Sequence, residues 1–469
     1  MGHSFNPAII REYDIRGTVG KNLNVEDALA LGKAFGSTLI RRGGKVVAVG
    51  LDGRTHSPML EKSLIEGLTS VGIEVRRIGL CPTPMLYFAA HHLNTDGGIM
   101  VTGSHNPADQ NGFKMLFGRH IENGGSIYGD AIIKLAECAF NEDFILDAEK
   151  GGAADIDVSE DYIQRIVKDL DCTNAKAKKL NVVWDCGNGA AGAVMQRIAD
   201  KLPGKHTILF AEVDGTFPNH HPDPTVPKNL EHLRNAVKET QADLGIAFDG
   251  DADRIGAIDS EGKIAAGDQL LTIYAHEVLA AHKGAVIIGD VKSSQVLFDK
   301  VKEWGGKPYM SRTGHSLIKA KMLETGAPLG GEMSGHMFFA DKYYGYDDGL
   351  YAGIRLLSLI VNSGKSLKDW LNFLPKMINT PEIRIDVDET RKFDIIEEVK
   401  KRLAAKNAQM NLTDGVRVQG DEGWWLLRAS NTQNVLVARV EADTETGLQN
   451  LMQQLTEELK LSGIDLAGI

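Results

Sequence analysis

Four cysteines in 469 residues are few and scattered. Cys81, Cys138, Cys172 and Cys186 form no CxxC pair, so reduced thiols in a cytoplasmic protein are the expectation. No stretch has the length and apolarity of a membrane span. The opening "MGHSFNPAII" lacks the charge-then-apolar pattern of a secretory signal, and Asn6 breaks the myristoylation pattern. Positive charge is also in deficit, with 52 Lys and Arg against 63 Asp and Glu and a formal net charge of -11. That balance argues against a general nucleic-acid binder. It leaves room for a small phosphorylated molecule held by a few local basic side chains. The expected partners therefore include no nucleic acid and no membrane.

What is present is ordinary for a soluble globular protein, with 43% apolar and 25% charged residues. The chain is too long for one compact core, so two to four domains are expected. "KVVAVGLDGR" (45–54), "LNVVWDCGNG" (180–189) and "GAVIIGDVKSS" (284–294) each read as a short buried strand that breaks into Gly, Asp and small residues. Each is followed by a helix-like segment and a second apolar run, "GIEVRRIG", "HTILFAE" and "GKPYMSR". This alternation predicts α/β units with parallel pairing, whose ligands gather beyond the carboxyl ends of the strands. "GGAAD" (151–155) and "NSGKSL" (362–367) are the expected breaks. The expected domains are 1–150, 151–256, 257–368 and 369–469. In the last, a strand at "EIRIDVDE", a helix over 391–408, three alternating strands and a closing helix around 444–460 predict a smaller α+β unit. Trp424 and Trp425, adjacent on one strand, should face opposite sides, one in the core and the other on the surface or an interface.

Four segments concentrate chemistry. "GGIMVTGSHNP" (97–107) ends an apolar run with Ser104 at a loop tip, where a serine also serves simply to cap a turn. "FDGDADR" places Asp249, Asp251 and Asp253 at alternate positions, and like charge at this density calls for a compensating cation. Hard oxygen donors suit Mg2+, while the later ligands of an EF-hand are absent. Arg254 adds a fork-shaped phosphate donor. "GGEMSGHMFF" sets Glu332, Ser334 and His336 at alternate positions able to bind adjacent sugar hydroxyls, and it contains neither an HxxxH nor an HExxH zinc pattern. "LLRASNTQN" gathers Arg428, Ser430, Asn431 and Thr432 where a strand yields to a turn. It reads as a phosphate cradle or, equally, as a turn in which Asn caps its own backbone. "EYDIRG" and "NGFK" add Arg16 and Lys114, isolated basic residues.

Taken in order, "YDIRG", "VTGSHNP", "FDGDADR", "GEMSGH" and "RASNT" resemble the bacterial alpha-D-phosphohexomutases, nearest to the phosphomannomutase/phosphoglucomutase branch. The resemblance spans nearly the whole chain. It implies three related α/β domains plus a smaller C-terminal α+β domain around a central active-site cleft. It further implies that Ser104 carries a phosphoryl group and joins Asp249, Asp251 and Asp253 in holding one Mg2+ per chain. His105, Arg254, Arg16, Lys114 and His336 fall in the implied reaction centre. Tyr13, Lys292, His315, Glu332, Ser334 and His336 fall on the implied substrate side, and Arg428, Ser430, Asn431 and Thr432 in the implied distal phosphate loop.

The implied reaction interconverts hexose 1- and 6-phosphates of mannose and glucose, with a hexose 1,6-bisphosphate as intermediate and activator. A monomer or weak homodimer acting on small phosphosugars is expected. Two departures stand out, Ala252 where relatives carry glycine and Gln433-Asn434 where they often carry Thr-Pro. The Met of "GEMSGH" sets the chain apart from the glucosamine branch. Phosphoglucosamine mutase, a Mg-dependent aspartyl phosphatase and a non-catalytic phosphosugar-binding protein remain the alternatives.

Overall fold

The computed structural model describes residues 2–122, 124–146, 149–170, 174–388, 390–430 and 433–465. Three of its four sheets share one plan. In the first, Val46–Leu51 lies between parallel Glu74–Leu80 and Gly97–Val101, and Gly97–Val101 turns back into antiparallel Gln110–Phe117. In the second, Asn181–Asp185 lies between Lys205–Leu209 and Leu244–Phe248, which turns back into Ile255–Asp259. In the third, Val286–Asp290 lies between Lys307–Ser311 and Leu329–Gly331, which turns back into Met337–Phe339. The paired runs expected from sequence are these first and second parallel strands. Helices cover both faces of such sheets, so their strands are apolar throughout rather than alternating. Gly97–Val101 and Leu244–Phe248 are accordingly buried at every position.

The fold is α/β, with three related α/β domains and a smaller C-terminal α+β domain around a cleft. Several sheet limits differ from the expected boundaries. Ala153–Asp155, read as a break, pairs with Glu74–Leu80 at the edge of the first sheet. The second sheet continues past 256 through Ile255–Asp259 to Ile264–Ala265. Gly364 is the left-handed cap of helix Gly349–Ser363, and the next helix, Leu367–Phe373, returns Leu367, Trp370 and Leu371 to the same core as that helix. "NSGKSL" therefore joins two packed helices. The chain enters the last sheet only at Ile378–Asn379.

That last sheet is antiparallel, and its alternation sorts two environments. Trp425, Leu427 and Ala429 point into a core closed by helices Lys392–Ala405 and Glu445–Lys460. Trp424 and Leu426 point the other way and pack on Val291 of the third domain. Both tryptophans are wholly buried, and the second one fills an interface.

Candidate active site

Each of the three related domains offers the same hairpin, between its third parallel strand and the antiparallel strand that follows. These hairpins carry Ser104, the Asp249–Asp253 run and the Glu332–His336 run. Three chemistries thus occupy one topological position.

Ser104 is 2% exposed and left-handed, with φ 50. Its Oγ donates to Asp249 Oδ2 at 2.9 Å and lies 3.2 Å from His105 Nδ1. Gly250 makes this approach possible, because a Cβ there would stand 2.3 Å from the Ser104 carbonyl oxygen. Packing inside the site, with Arg254, Arg16 and Lys114 nearby, holds the His105 imidazole well below its ordinary value.

Asp249, Asp251 and Asp253 are all fully buried, and one oxygen from each lies within 4.8 Å of the others. Burial, then the charges of Asp253 and Asp251, push the Asp249 carboxyl well above its usual range. For Asp251 burial acts the same way, but Lys114 and Thr83 more than reverse it and its carboxyl is lowered. Lys114 Nζ reaches across from the first domain to Asp251 at 2.7 Å and also to Asp253. Burial opposes the charge on that ammonium, yet the two carboxylates hold it well above its ordinary value. Asp251 Oδ1 and Asp253 Oδ1 are buried without a hydrogen-bond partner. Hard oxygen donors with free lone pairs, converging in one place, fit Mg2+.

In the third hairpin His336 Nε2 accepts from Arg254 Nε at 3.0 Å. The His336 Nδ1 lies 3.0 Å from Asp347 Oδ2, a close approach without hydrogen-bond geometry. Asp347 also holds Lys319 at 3.0 Å and lies 3.7 Å from His315. Asp347, His336 and Arg254 thus form a line that ends 4.0 Å from Asp249. Glu332 accepts from the Gly314 amide and from the Ser334 hydroxyl. Tyr13 donates to the Thr313 carbonyl at 2.7 Å, and Arg16 donates to Asn106 beside the serine at 2.8 Å.

The distal side is built by the C-terminal sheet. Arg428 Nε donates to Asp414 at 2.9 Å, and the same oxygen takes the Thr313 amide. Ser430 accepts from the Gln433 amide at 3.1 Å. Asn431 and Thr432 lie outside the described residues. Lys292 Nζ is 3.0 Å from Glu382.

The motif reading passed over Asp52, Arg54, Thr83, Asp347 and Asp414. Asp52 and Arg54 stand in the quoted "LDGR", just past the end of a buried strand, which was the one available signal. Thr83, Asp347 and Asp414 gain significance only from partners far away in sequence.

Comparison with known proteins shows the family to which the fold belongs. Family models for phosphoglucomutase/phosphomannomutase match as alpha/beta/alpha domain I over residues 7–145, domain II over 160–262, domain III over 266–377 and the C-terminal domain over 382–458. A phosphomannomutase/phosphoglucomutase of Pseudomonas putida is 44% identical over 96% of this chain and 95% of its own. A phosphoglucomutase of Neisseria meningitidis is 42% identical over 95% of both. The crystal structure of a phosphoglucomutase/phosphomannomutase family protein from Burkholderia thailandensis superposes with a TM-score of 0.89 at 40% identity, covering 98% of each chain. The four-domain α/β fold is that of a hexose-phosphate mutase. The chain belongs to the phosphoglucomutase/phosphomannomutase family. Among the described residues no helix is long and apolar enough to cross a membrane.

Proposed function

We propose that this enzyme interconverts the 1- and 6-phosphates of mannose and glucose through phosphorylated Ser104. The carrying observation is the 2.9 Å bond between Ser104 Oγ and Asp249, which joins two hairpins from different domains where Asp251, Asp253, Arg254 and His105 converge. In this reading the hydroxyl oxygen of a hexose monophosphate attacks the phosphorus on Ser104. The new O–P bond forms as the Ser104 Oγ–P bond breaks, the sugar hydroxyl loses its proton, and Oγ regains one. The bisphosphate then turns end for end and returns its other phosphoryl group to Ser104. Asp249, Asp251 and Asp253, with an oxygen of phosphorylated Ser104, would hold Mg2+, which offsets charge on the transferring oxygens.

Arg254, aimed by His336 and Asp347, stabilises that charge from the protein side. Lys114 and Arg16 would offset charge on the transferring group, and His105 would hold or pass the proton. Glu332 and Ser334 read the ring hydroxyls, with Tyr13, Lys292 and His315 lining the sugar. Arg428 and Ser430, with Asn431 and Thr432, hold the phosphate that is not reacting. Identity to relatives named for mannose and glucose phosphates supports the substrate choice. The likeness to an N-acetylglucosamine-phosphate mutase, at 13% identity and TM-score 0.61, concerns the fold alone.

The test measures kcat/KM side by side for mannose, glucose and glucosamine phosphates with the 1,6-bisphosphate present, and maps phosphate in the active protein. Phosphate on Ser104 and loss of turnover by about three or more orders of magnitude in a folded Ser104→Ala variant are expected. Phosphate on an aspartate would make the protein a phosphatase instead. A strong preference for glucosamine phosphate would overturn the substrate assignment.

A further inference from the structure

Arg54 is 2% exposed, and both terminal nitrogens of its guanidinium are spent on the serine loop. One terminal nitrogen donates to the carbonyls of Pro107 and Gln110 at 2.6 and 2.9 Å. The other donates to those of Ser104 and Asn106 at 2.7 and 2.6 Å. Its Nε lies 3.3 Å from Asp52 Oδ2. That same oxygen accepts from the Thr102 hydroxyl at 2.8 Å and from the Gly103 amide at 3.1 Å, and Thr102 Oγ1 accepts from the Ser104 amide at 2.8 Å. Both backbone polar groups of Ser104 are therefore tied, directly or through one hydroxyl, to the Asp52–Arg54 pair. The fit admits no side chain between them, since a Cβ on Gly103 would stand 2.5 Å from the guanidinium carbon.

The clamp explains a costly local conformation. Ser104 is a left-handed non-glycine residue, held against its backbone preference. Four carbonyls turned toward one point repel each other unless a cation with several donors lies among them. Only the planar guanidinium offers enough fixed N–H groups, whereas an ammonium supplies three donors from one point. The second domain closes the clamp from outside. Gly215 packs on the Arg54 backbone, and the Phe217 ring stands 5.2 Å from the guanidinium.

We infer that Arg54 is a positioning residue for phosphoryl transfer. It sets the aim of Ser104 by gathering the carbonyls of the 104–110 loop beneath it, with Phe217 completing the enclosure from the second domain. This rests on the reading that Ser104 carries the phosphoryl group. Misplacing a reacting atom by about 1 Å costs on the order of 100-fold in rate, so the effect should fall on kcat rather than on substrate affinity.

The experiment compares wild type with Arg54→Lys, Arg54→Ala and Phe217→Ala. Readouts are thermal unfolding, phosphate on Ser104 by intact mass, single-turnover transfer to glucose 1-phosphate, and the split between kcat and KM. Both Arg54 variants should lose about 100-fold in transfer rate per folded molecule with KM within about threefold. Millimolar guanidinium chloride should restore part of the loss in Arg54→Ala and leave wild type unchanged. Phe217→Ala, which keeps the guanidinium, should lose about tenfold in kcat at unchanged KM and serves as the deciding variant where Arg54→Ala does not fold. Transfer per folded molecule equal to wild type in Arg54→Lys, or wild-type kcat in Phe217→Ala, would overturn the positioning role. Absence of phosphate on Ser104 in active wild type would instead remove the mechanism on which it stands.

Discussion

Asp249, Asp251 and Asp253 are countered within the protein by Lys114, by Arg254 at 4.0 Å and by the hydroxyls of Ser104 and Thr83. Asn in place of any one keeps the volume but removes a charge that a divalent cation needs. Each Asp→Asn variant should therefore weaken Mg2+ binding in a calorimetric titration and lower turnover by about 100-fold or more, with the fold retained by circular dichroism. Three variants that bind Mg2+ as wild type does would remove the metal assignment. These carboxylates were legible in the sequence because one short run contains them all. Arg54 and Asp347 were not, because a lone Arg or Asp near a strand end acquires meaning only through carbonyls or rings that the fold brings to it. Ala252 shows the same limit. A small-for-small exchange is tolerated where the dihedrals suit it, and the sequence does not show that Ala252 is left-handed, with φ 60, where glycine alone is free of strain.

The repeated element was legible as a strand, helix and strand, and those strands do pair in parallel. The working part is the hairpin beyond the third strand, and periodicity cannot reveal that three unlike sequences end at equivalent places. A like support serves two of them. Asp52, just past the first of the three parallel strands of its domain, accepts from Gly103, the residue before Ser104. Asp290, at the end of the corresponding third-domain strand, accepts from Met333, the residue after Glu332. Helix Gly349–Ser363, which follows the third hairpin, begins at another buried acid. Asp348 accepts from the Tyr351 amide at 2.8 Å and from the Tyr343 and Tyr162 hydroxyls at 2.9 and 3.1 Å. Burial pushes its carboxyl up to about 7, against about 3.9 in an unfolded chain. The stability it contributes is full below about pH 4 and falls as pH rises toward 7, because the unfolded chain releases that proton first. The slope is at most about 1.4 kcal/mol per pH unit. Asp348→Asn keeps an oxygen for the helix cap and the tyrosines but carries no titrating proton. Its melting temperature should fall less than that of wild type between pH 4 and 7, and at pH 8 it should be at least as stable. Parallel pH profiles for the two proteins would show that Asp348 does not titrate in this window.

Across the whole molecule, the C-terminal domain meets the third through buried charge more than through apolar area. Arg417 stacks on Trp424 with its guanidinium 3.6 Å from the ring and donates to the carbonyls of Val291 and Ser293. Arg439 donates to the Lys292 carbonyl, and Glu441 accepts from Ser294 and Trp424. Among the described residues the apolar cluster across it is Val291, Trp424 and Leu426, with Met310 against them. An interface this polar resembles those across which domains move. Arg428 lies on the same sheet face as Trp424 and Leu426. Through Asp414 it is tied to the Thr313 amide, one residue from the Gly314 amide that holds Glu332. A phosphate on Arg428 would therefore act on the sugar loop through three hydrogen bonds and one peptide. Arg428→Ala should raise KM for the phosphosugars by about tenfold or more, since it removes a charge-assisted fork, while Mg2+ binding stays near wild type. Small-angle scattering should show wild type contracting when saturated with glucose 1-phosphate and the variant contracting less. A wild type of unchanged dimensions, together with a variant of unchanged kcat and KM, would leave the C-terminal domain without this role in closing the cleft.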